Sequence, residues 1–204
     1  MDFYPSDEKS LIAGCKNNES GARKKLYELY APAMLGVCVR YTNDNEDAKD
    51  ILHEGFITVF TKINSYLGEG SFEGWMRRVF ITKALEFLRS DSLQRHTYIT
   101  DYEEEIEPVE NSAVEKLSAE EILNCISELP KGCRIVFNLH AIEGYSHAEI
   151  AGMLNIKEVT SRTQFAYARQ LLQDKIKKLQ NSTKVENKLW ITKKINSLRL
   201  SETN

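Results

Sequence analysis

Apolar residues recur along the chain at helical spacing and never in the sustained alternation of a half-buried strand. Leu26, Leu29, Tyr30, Ala33 and Val37 mark one helical face, and Ile51, Leu52, Phe56, Val59, Phe60 and Ile63 mark another. The period breaks between Asn64 and Gly70, where Ser and Gly intervene. It resumes from about Phe72 to Arg89, with Trp75, Val79, Leu85 and Leu88 as core-facing positions. Beyond that, the pattern predicts helices at about 118–128 and 131–142, a capped helix from Ser146, another from about 158, and a polar Lys/Gln-rich end. No long internal repeat is present, which argues against a solenoid. The expected fold class is all-α, with two small helical domains and a helix-turn-helix in the second.

Charge decides where the domains part. Residues 1–95 carry 13 basic and 14 acidic side chains (net −1), residues 96–117 carry 1 and 7 (net −6), residues 118–180 carry 8 and 7 (net +1), and residues 181–204 carry 5 and 2 (net +3). The acidic piece around Thr100 to Pro108 has little to bury and ends in a helix breaker, as a solvated linker does. The chain therefore reads as a helical domain over 1–95, a flexible acidic linker over 96–117, a helix-turn-helix domain over 118–180 and a basic amphipathic extension over 181–204. A total of −3 over 204 residues excludes a uniformly basic nucleic-acid coat, but not a local basic surface.

Other classes fall away on chemistry. The start, MDFYPSDEKS, lacks the basic and apolar regions of a secretory signal. The longest apolar stretches, such as Met34 to Val39, are far short of the roughly 20 residues that span a bilayer. Cys15, Cys38, Cys125 and Cys133 show no C-x-x-C spacing and read as structural thiols of a reduced cytoplasmic protein, in preference to a Cys125/Cys133 redox switch. His53, His96, His140 and His147 show no metal-ligand spacing, and no Gly-rich phosphate loop follows a strand. The expectation is a non-enzyme with no catalytic residue, no metal and no cofactor.

The clearest motif runs from Tyr145 to Gln164. Ser146 with Glu149 three residues on forms a capping box that starts a helix. Ala151 is small where a second helix crosses, Asn155 tolerates the left-handed conformation of a sharp turn, and Ile156 after it plugs the core. In the following helix Val159, Phe165 and Leu172 are expected to face inward. Ser161, Arg162, Thr163, Gln164, Tyr167 and Arg169 are expected to face outward, where Arg and Gln can read purine edges and hydroxyls can hold phosphates. The competing interpretation is a helical hairpin whose polar face is merely solvated.

In the first domain, Asp47 to Phe60 combines an acidic first turn with a continuous apolar face. Gly70 to Phe80 sets Arg77 and Arg78 beside Phe72 and Trp75, the combination that holds phosphates while bases stack on rings. An aromatic core helix with two solvated arginines would look similar.

Asp47-Ala-x-Asp50 through Phe60, then Ser71-Phe-x-Gly-Trp-x-Arg-Arg78, then Ala84-Leu-x-x-Leu-Arg89, and Leu129-Pro130 through the helix-turn-helix, together resemble an extracytoplasmic-function (ECF) sigma factor of bacterial RNA polymerase. The resemblance covers roughly residues 5–180. It implies a promoter-specificity subunit whose helix at 47–63 docks on the clamp helices of the polymerase largest subunit, with Asp47, Asp50, Glu54 and Phe56 as candidate contacts; the flap is a further contact on core polymerase. It implies that Tyr66 to Arg89 opens and reads the −10 element. There the loop Asn64 to Ser71, with Tyr66, receives a flipped-out base whose Watson–Crick edge becomes readable, Trp75, Arg77 and Arg78 hold the separated strand, and Thr82 and Arg89 belong to the same surface. It implies −35 duplex reading by Arg162, Thr163 and Gln164, flanked by Ser161, Tyr167 and Arg169. Partners would be core RNA polymerase, promoter DNA and an anti-sigma factor, with no small-molecule substrate.

Several positions depart from the family pattern. His53 stands for a usual Gln, and Thr82 for a usual Asn, so the −10 preference does not carry over. Val159 stands for a usual Gly after Lys157, a poor N-cap, so the recognition helix is expected to begin differently. Arg95 alone is basic between Arg89 and the linker, which weakens the expected upstream contact. The extension, with Leu189, Trp190, Ile191 and Ile195, is expected to dock on the protein itself. The alternatives are a conventional helix-turn-helix regulator and a protein-interaction module. A ligand-sensing domain has no use for Trp-Met-Arg-Arg beside a Gly-rich loop, which favours the sigma reading.

Overall fold

Short polar side chains set where several helices begin. The structure, a computed structural model, describes residues 5–42, 44–95 and 118–201, the side chains of 5–6, 91–95, 119–120 and 180–201 aside. The chain forms two compact units, Met1–Ile99 and Thr100–Asn204, and no strand occurs among the described residues. The acidic linker expected at 96–117, with His96, lies outside them.

The first unit contains α1 (Pro5–Lys16), α2 (Ser20–Thr42), α3 (Asn45–Lys62), a 3₁₀ turn (Ile63–Ser65) and α4 (Phe72–Arg95). Asp44 caps α3: its carboxylate accepts from the amides of Glu46 at 2.7 Å and Asp47 at 3.0 Å, while Glu46 and Asp47 place negative charge in the first turn. The α3 face that includes Ile51, Leu52, Phe56 and Val59 is buried as expected. Gly55 lets α4 approach, since a Cβ there would lie 2.1 Å from the Phe80 ring.

Two faces differ in part from the expected ones, although Leu26 and Val37 in α2 and Leu85 and Leu88 in α4 are buried as expected. In α2 the buried set is Leu26, Met34, Val37, Cys38 and Tyr41, whereas Leu29 and Ala33 are exposed. Steps of four from Leu26 lead through Tyr30 to Met34, whereas Leu29 and Ala33, three and seven residues on, fall at the margin of the stripe that Val37 and Tyr41 continue. In α4 Phe72, Met76, Phe80, Ala84 and Leu88 form the inner stripe, with Trp75 and Val79 half-buried at its margin. The sequence pattern also missed α1, which contributes Leu11 and Cys15 to the core.

The second unit contains α5 (Ala119–Ser127), α6 (Lys131–Phe137) continuing into a π-helical turn (Asn138–Ile142), α7 (His147–Leu154) and α8 (Glu158–Ser201). Ser118 and Glu121 form a capping box at α5. Its other end is held by Arg134, a buried residue whose guanidinium donates to the carbonyls of Ser127 at 2.9 Å and Leu129 at 3.3 Å. Cys125, Ile126, Leu129, Cys133, Ala168 and Leu172 make the core between α5, α6 and α8.

All four thiols are free and buried. Burial pushes Cys38 up to about 12 and Cys133 up to about 11, so both are protonated and unreactive at neutral pH. Helix α8 runs on without interruption to Ser201, so residues 181–201 continue it; the side chains expected to dock from there lie outside the described residues.

Candidate nucleic-acid interface

Each unit presents one surface suited to nucleic acid. In the second, the turn is built as its residues predict. Ser146 and Glu149 complete the capping box, Asn155 takes the left-handed conformation at φ 55°, and the Ile156 amide donates to Ala151 at 3.1 Å. These bonds fix α7 to α8, whose first turns then decide what faces solvent.

The outward residues there are Glu158, Val159, Arg162 and Arg169, with Thr163 half-buried. Arg162 is bound to Glu158 through Nη2 at 2.5 Å and Nε at 3.2 Å, which extends the guanidinium along the exposed face. The Thr163 hydroxyl donates to the Val159 carbonyl at 3.0 Å.

Three expectations are overturned. Ser161 is fully buried and its Oγ lies 3.0 Å from Nδ1 of His147, so it ties α8 to α7 instead of facing DNA. Gln164 is 1% exposed. Val159, expected inside, is 63% exposed. The inner stripe follows positions 161, 164/165, 168 and 172, spaced three and four apart, and passes through polar residues on its way. Val159 precedes Phe165 by six residues and so falls on another face. Tyr167 packs against the Cys125–Cys133 core, which leaves Arg162, Thr163 and Arg169 as the available readers.

His147 and His140 stack with centroids 4.1 Å apart, and both rings meet the edge of Phe165. Burial, then His140, then Arg162 hold the His147 imidazole below its ordinary range, so it is neutral where it meets Ser161.

The surface of the first unit is built on the turn into α4. Gly68 and Gly70 have φ of 85° and 74°, conformations that cost glycine little, and they fold the loop back on itself. The Tyr66 hydroxyl closes it, donating to the Gly70 carbonyl at 2.9 Å. The Tyr66 ring packs on Phe72 at 5.1 Å and Trp75 at 5.8 Å, and Trp75 stacks on Phe72 at 5.6 Å. Phe72 is buried, while Tyr66 and Trp75 keep part of their rings open. At the loop tip Leu67 is 80% exposed.

Along α4 the open side of Trp75 continues into Arg78, Thr82 and Arg89, at spacings of three, four and seven that share one exposed stripe. The Thr82 hydroxyl donates to the Arg78 carbonyl at 2.8 Å. Arg77 lies beside this stripe, half-buried and paired with Glu73 at 3.3 Å. The candidate strand-holding residues are therefore brought together on one surface.

Of the candidates on α3, Asp50 and Glu54 are exposed and Asp47 is half-buried. Phe56 is not a surface residue: it is 3% exposed, its ring 4.6 Å from Tyr27 and 5.2 Å from Phe80. Its neighbour Ile57 is the apolar residue that faces out, 58% exposed and in register with Asp50 and Glu54. The helical phase identifies Ile57, whereas the resemblance pointed to Phe56, which the apolar period already sets on the buried face.

Residues 26–94 match the family model for sigma-70 region 2, and residues 119–172 match that for sigma-70 region 4. A relative from Haemophilus influenzae, the ECF RNA polymerase sigma-E factor, is 25% identical over 183 residues, which span 84% of this chain and 96% of the relative. The ECF RNA polymerase sigma factor SigE of Mycolicibacterium smegmatis is 27% identical over 164 residues, 78% of this chain and 63% of the relative.

The chain belongs to the ECF sigma factors.

As an ECF sigma factor it is a promoter-specificity subunit of bacterial RNA polymerase, and its partners are core polymerase and promoter DNA. Every candidate −10 residue of this sigma factor falls within the region 2 match, and every candidate −35 residue within the region 4 match. Among solved structures it is similar to the sigma factor RpoE in complex with the anti-sigma factor NepR from Bartonella quintana, at a TM-score of 0.48 and 16% identity over 76% of this chain and 96% of that one.

Proposed function

We propose that residues 1–95 and 118–180 divide promoter recognition between two kinds of DNA. The first unit binds core polymerase through the exposed stripe of α3, where Asp50 and Glu54 flank Ile57 and Asp47 adds charge at the helix start. It traps the melted −10 strand with Tyr66 and Trp75 as stacking platforms and Arg77, Arg78, Thr82 and Arg89 along the phosphates. The second unit reads −35 duplex with Arg162, Thr163 and Arg169. Residues 96–117 act as a linker and 181–204 as a basic amphipathic extension. The chain works in the cytoplasm, carries out no chemistry of its own, and is held in check by an anti-sigma factor that covers its polymerase-binding face.

The observation that carries this reading is the Tyr66–Phe72–Trp75 stack opening onto the Arg78 side of α4. A duplex offers such rings no base face, whereas a separated strand does. The test is permanganate footprinting of open complexes made by holoenzyme with Trp75→Ala. The expected result is loss of reactive −10 thymines with −35 duplex binding retained. A variant that opens promoters normally but binds −35 duplex poorly would overturn the assignment.

A further inference from the structure

We infer that Lys16, at the end of α1, is a positioning residue for the −10 loop: its ammonium pins the loop backbone and thereby sets which base the loop accepts. The inference rests on the reading of Tyr66 and its loop given above.

Lys16 is half-buried, and its Nζ donates to the backbone carbonyl of Tyr66 at 2.9 Å, across 50 residues of sequence. A cation in the last turn of a helix ordinarily offsets that helix's own carbonyls. Lys16 spends a donor on another element instead, in a charge-assisted bond stronger than a neutral one. Tyr66 is fastened at every polar atom. Its amide donates to Ile63 at 3.2 Å, its hydroxyl to Gly70 at 2.9 Å, and its carbonyl accepts from Lys16.

The first two bonds lie within the turn and its loop, and they would survive if the whole loop swung as a body. The Lys16 bond ties the loop to α1, which is anchored in turn: Leu11 and Cys15 are in the core, and Tyr30 of α2 donates to Glu8 at 2.7 Å. Past Tyr66, Leu67 to Gly70 are all exposed, and the bond from the Tyr66 hydroxyl to Gly70 closes the loop on itself without tying it to α1. A pocket formed by such a loop keeps its shape only as well as its fixed post does, and small displacements of a binding group weaken discrimination. Lys16 lies outside residues 26–94, the span that matches the region 2 model.

The test uses the full chain with core polymerase and a set of non-template −10 single strands, each with one base changed, competing for holoenzyme. Lys16→Met removes the donors and keeps the apolar stem, and Lys16→Arg restores a donor. The wild type should discriminate among the strands. Lys16→Met should flatten the preference at the captured base by roughly tenfold, the lower end of the net worth of one charge-assisted hydrogen bond, with core binding unchanged, and Lys16→Arg should recover most of it. A selective wild type with an equally selective Lys16→Met overturns the role of Lys16 alone. A parallel loss of core binding in Lys16→Met also overturns it, since Lys16 would then hold the unit and not the loop. A wild type indifferent to every base change overturns the reading of the loop together with the inference.

Discussion

The two surfaces proposed to meet DNA face opposite problems, and their construction differs accordingly. In the second unit the reader is a helix whose approach is fully specified: a capping box before α7, a left-handed Asn155 after it, and Ser161 bound to His147 beneath. Its donors are few and pre-extended, with Arg162 braced on Glu158. In the first unit the reader is a loop with two positive-φ glycines, an exposed Leu67 and rings left partly open. Duplex reading needs donors held at fixed positions against base edges. Capturing a base needs apolar faces that become useful only after the base leaves its stack. On the proposed reading, one surface is complete before DNA arrives, and the other is completed by it.

The largest expected effect breaks the first unit's side of this comparison. Trp75→Ala should reduce open-complex formation by about 1–3 kcal/mol, the worth of one base stacked on an aromatic ring. A template with a premelted −10 bubble should recover part of the loss, because opening no longer has to be driven by capture. Rate measurements on both templates check this.

Arg162→Ala breaks the other side. It should weaken −35 duplex binding by roughly 1–3 kcal/mol and relax preference at a single base pair, read by competition with single-substituted duplexes. An unchanged base preference would remove Arg162 from the reading face.

A smaller effect tests whether the second surface is preformed. Ser146→Ala removes the oxygen that accepts from the Glu149 amide and should lower the stability of the second unit by about 1 kcal/mol. Melting should show the loss. Base preference at −35 should stay the same, because α8 keeps its contacts once folded.

The smallest is a dependence on pH. Neutral His147 is favoured in the folded state by burial, by His140 and by Arg162, against Glu158, so its folded pKa lies below the ordinary 6.5. In the unfolded chain it takes up a proton more readily. Its contribution is therefore fully present above about pH 6.5 and is lost as pH falls through that value toward the lowered folded pKa. Thermal midpoints should drop over this window, and His147→Gln should flatten the dependence while retaining an acceptor near Ser161.

Much of this was legible in the sequence wherever one residue type has one job. Ser146 with Glu149 and Asn155 at the turn took the predicted conformations, and the break expected between Asn64 and Gly70 is a loop with two positive-φ glycines. The errors came from assigning faces by residue type or by resemblance instead of helical phase. Phe56, set on the apolar face by the helical period but named a contact through the family resemblance, is core, while Ile57 beside it is exposed; Val159, expected inside, is exposed, while Ser161 and Gln164, expected outside, are buried. A polar residue on an inner stripe is invisible to a hydrophobic pattern, because what fixes it inside is its neighbours' spacing. Lys16 was illegible for another reason. Its partner is a backbone carbonyl 50 residues away, and no sequence signal encodes such a bond.

The central claim is that this chain directs polymerase to promoters through two separate readers. Run-off transcription by core polymerase on a library of genomic fragments, with and without the purified chain, tests it most directly. The account predicts discrete new start sites that share two upstream elements, with Trp75→Ala losing transcripts that a premelted −10 restores and Arg162→Ala altering only the −35 consensus. Failure to bind core and an absence of new transcripts, with the second unit still binding duplex DNA, would contradict it.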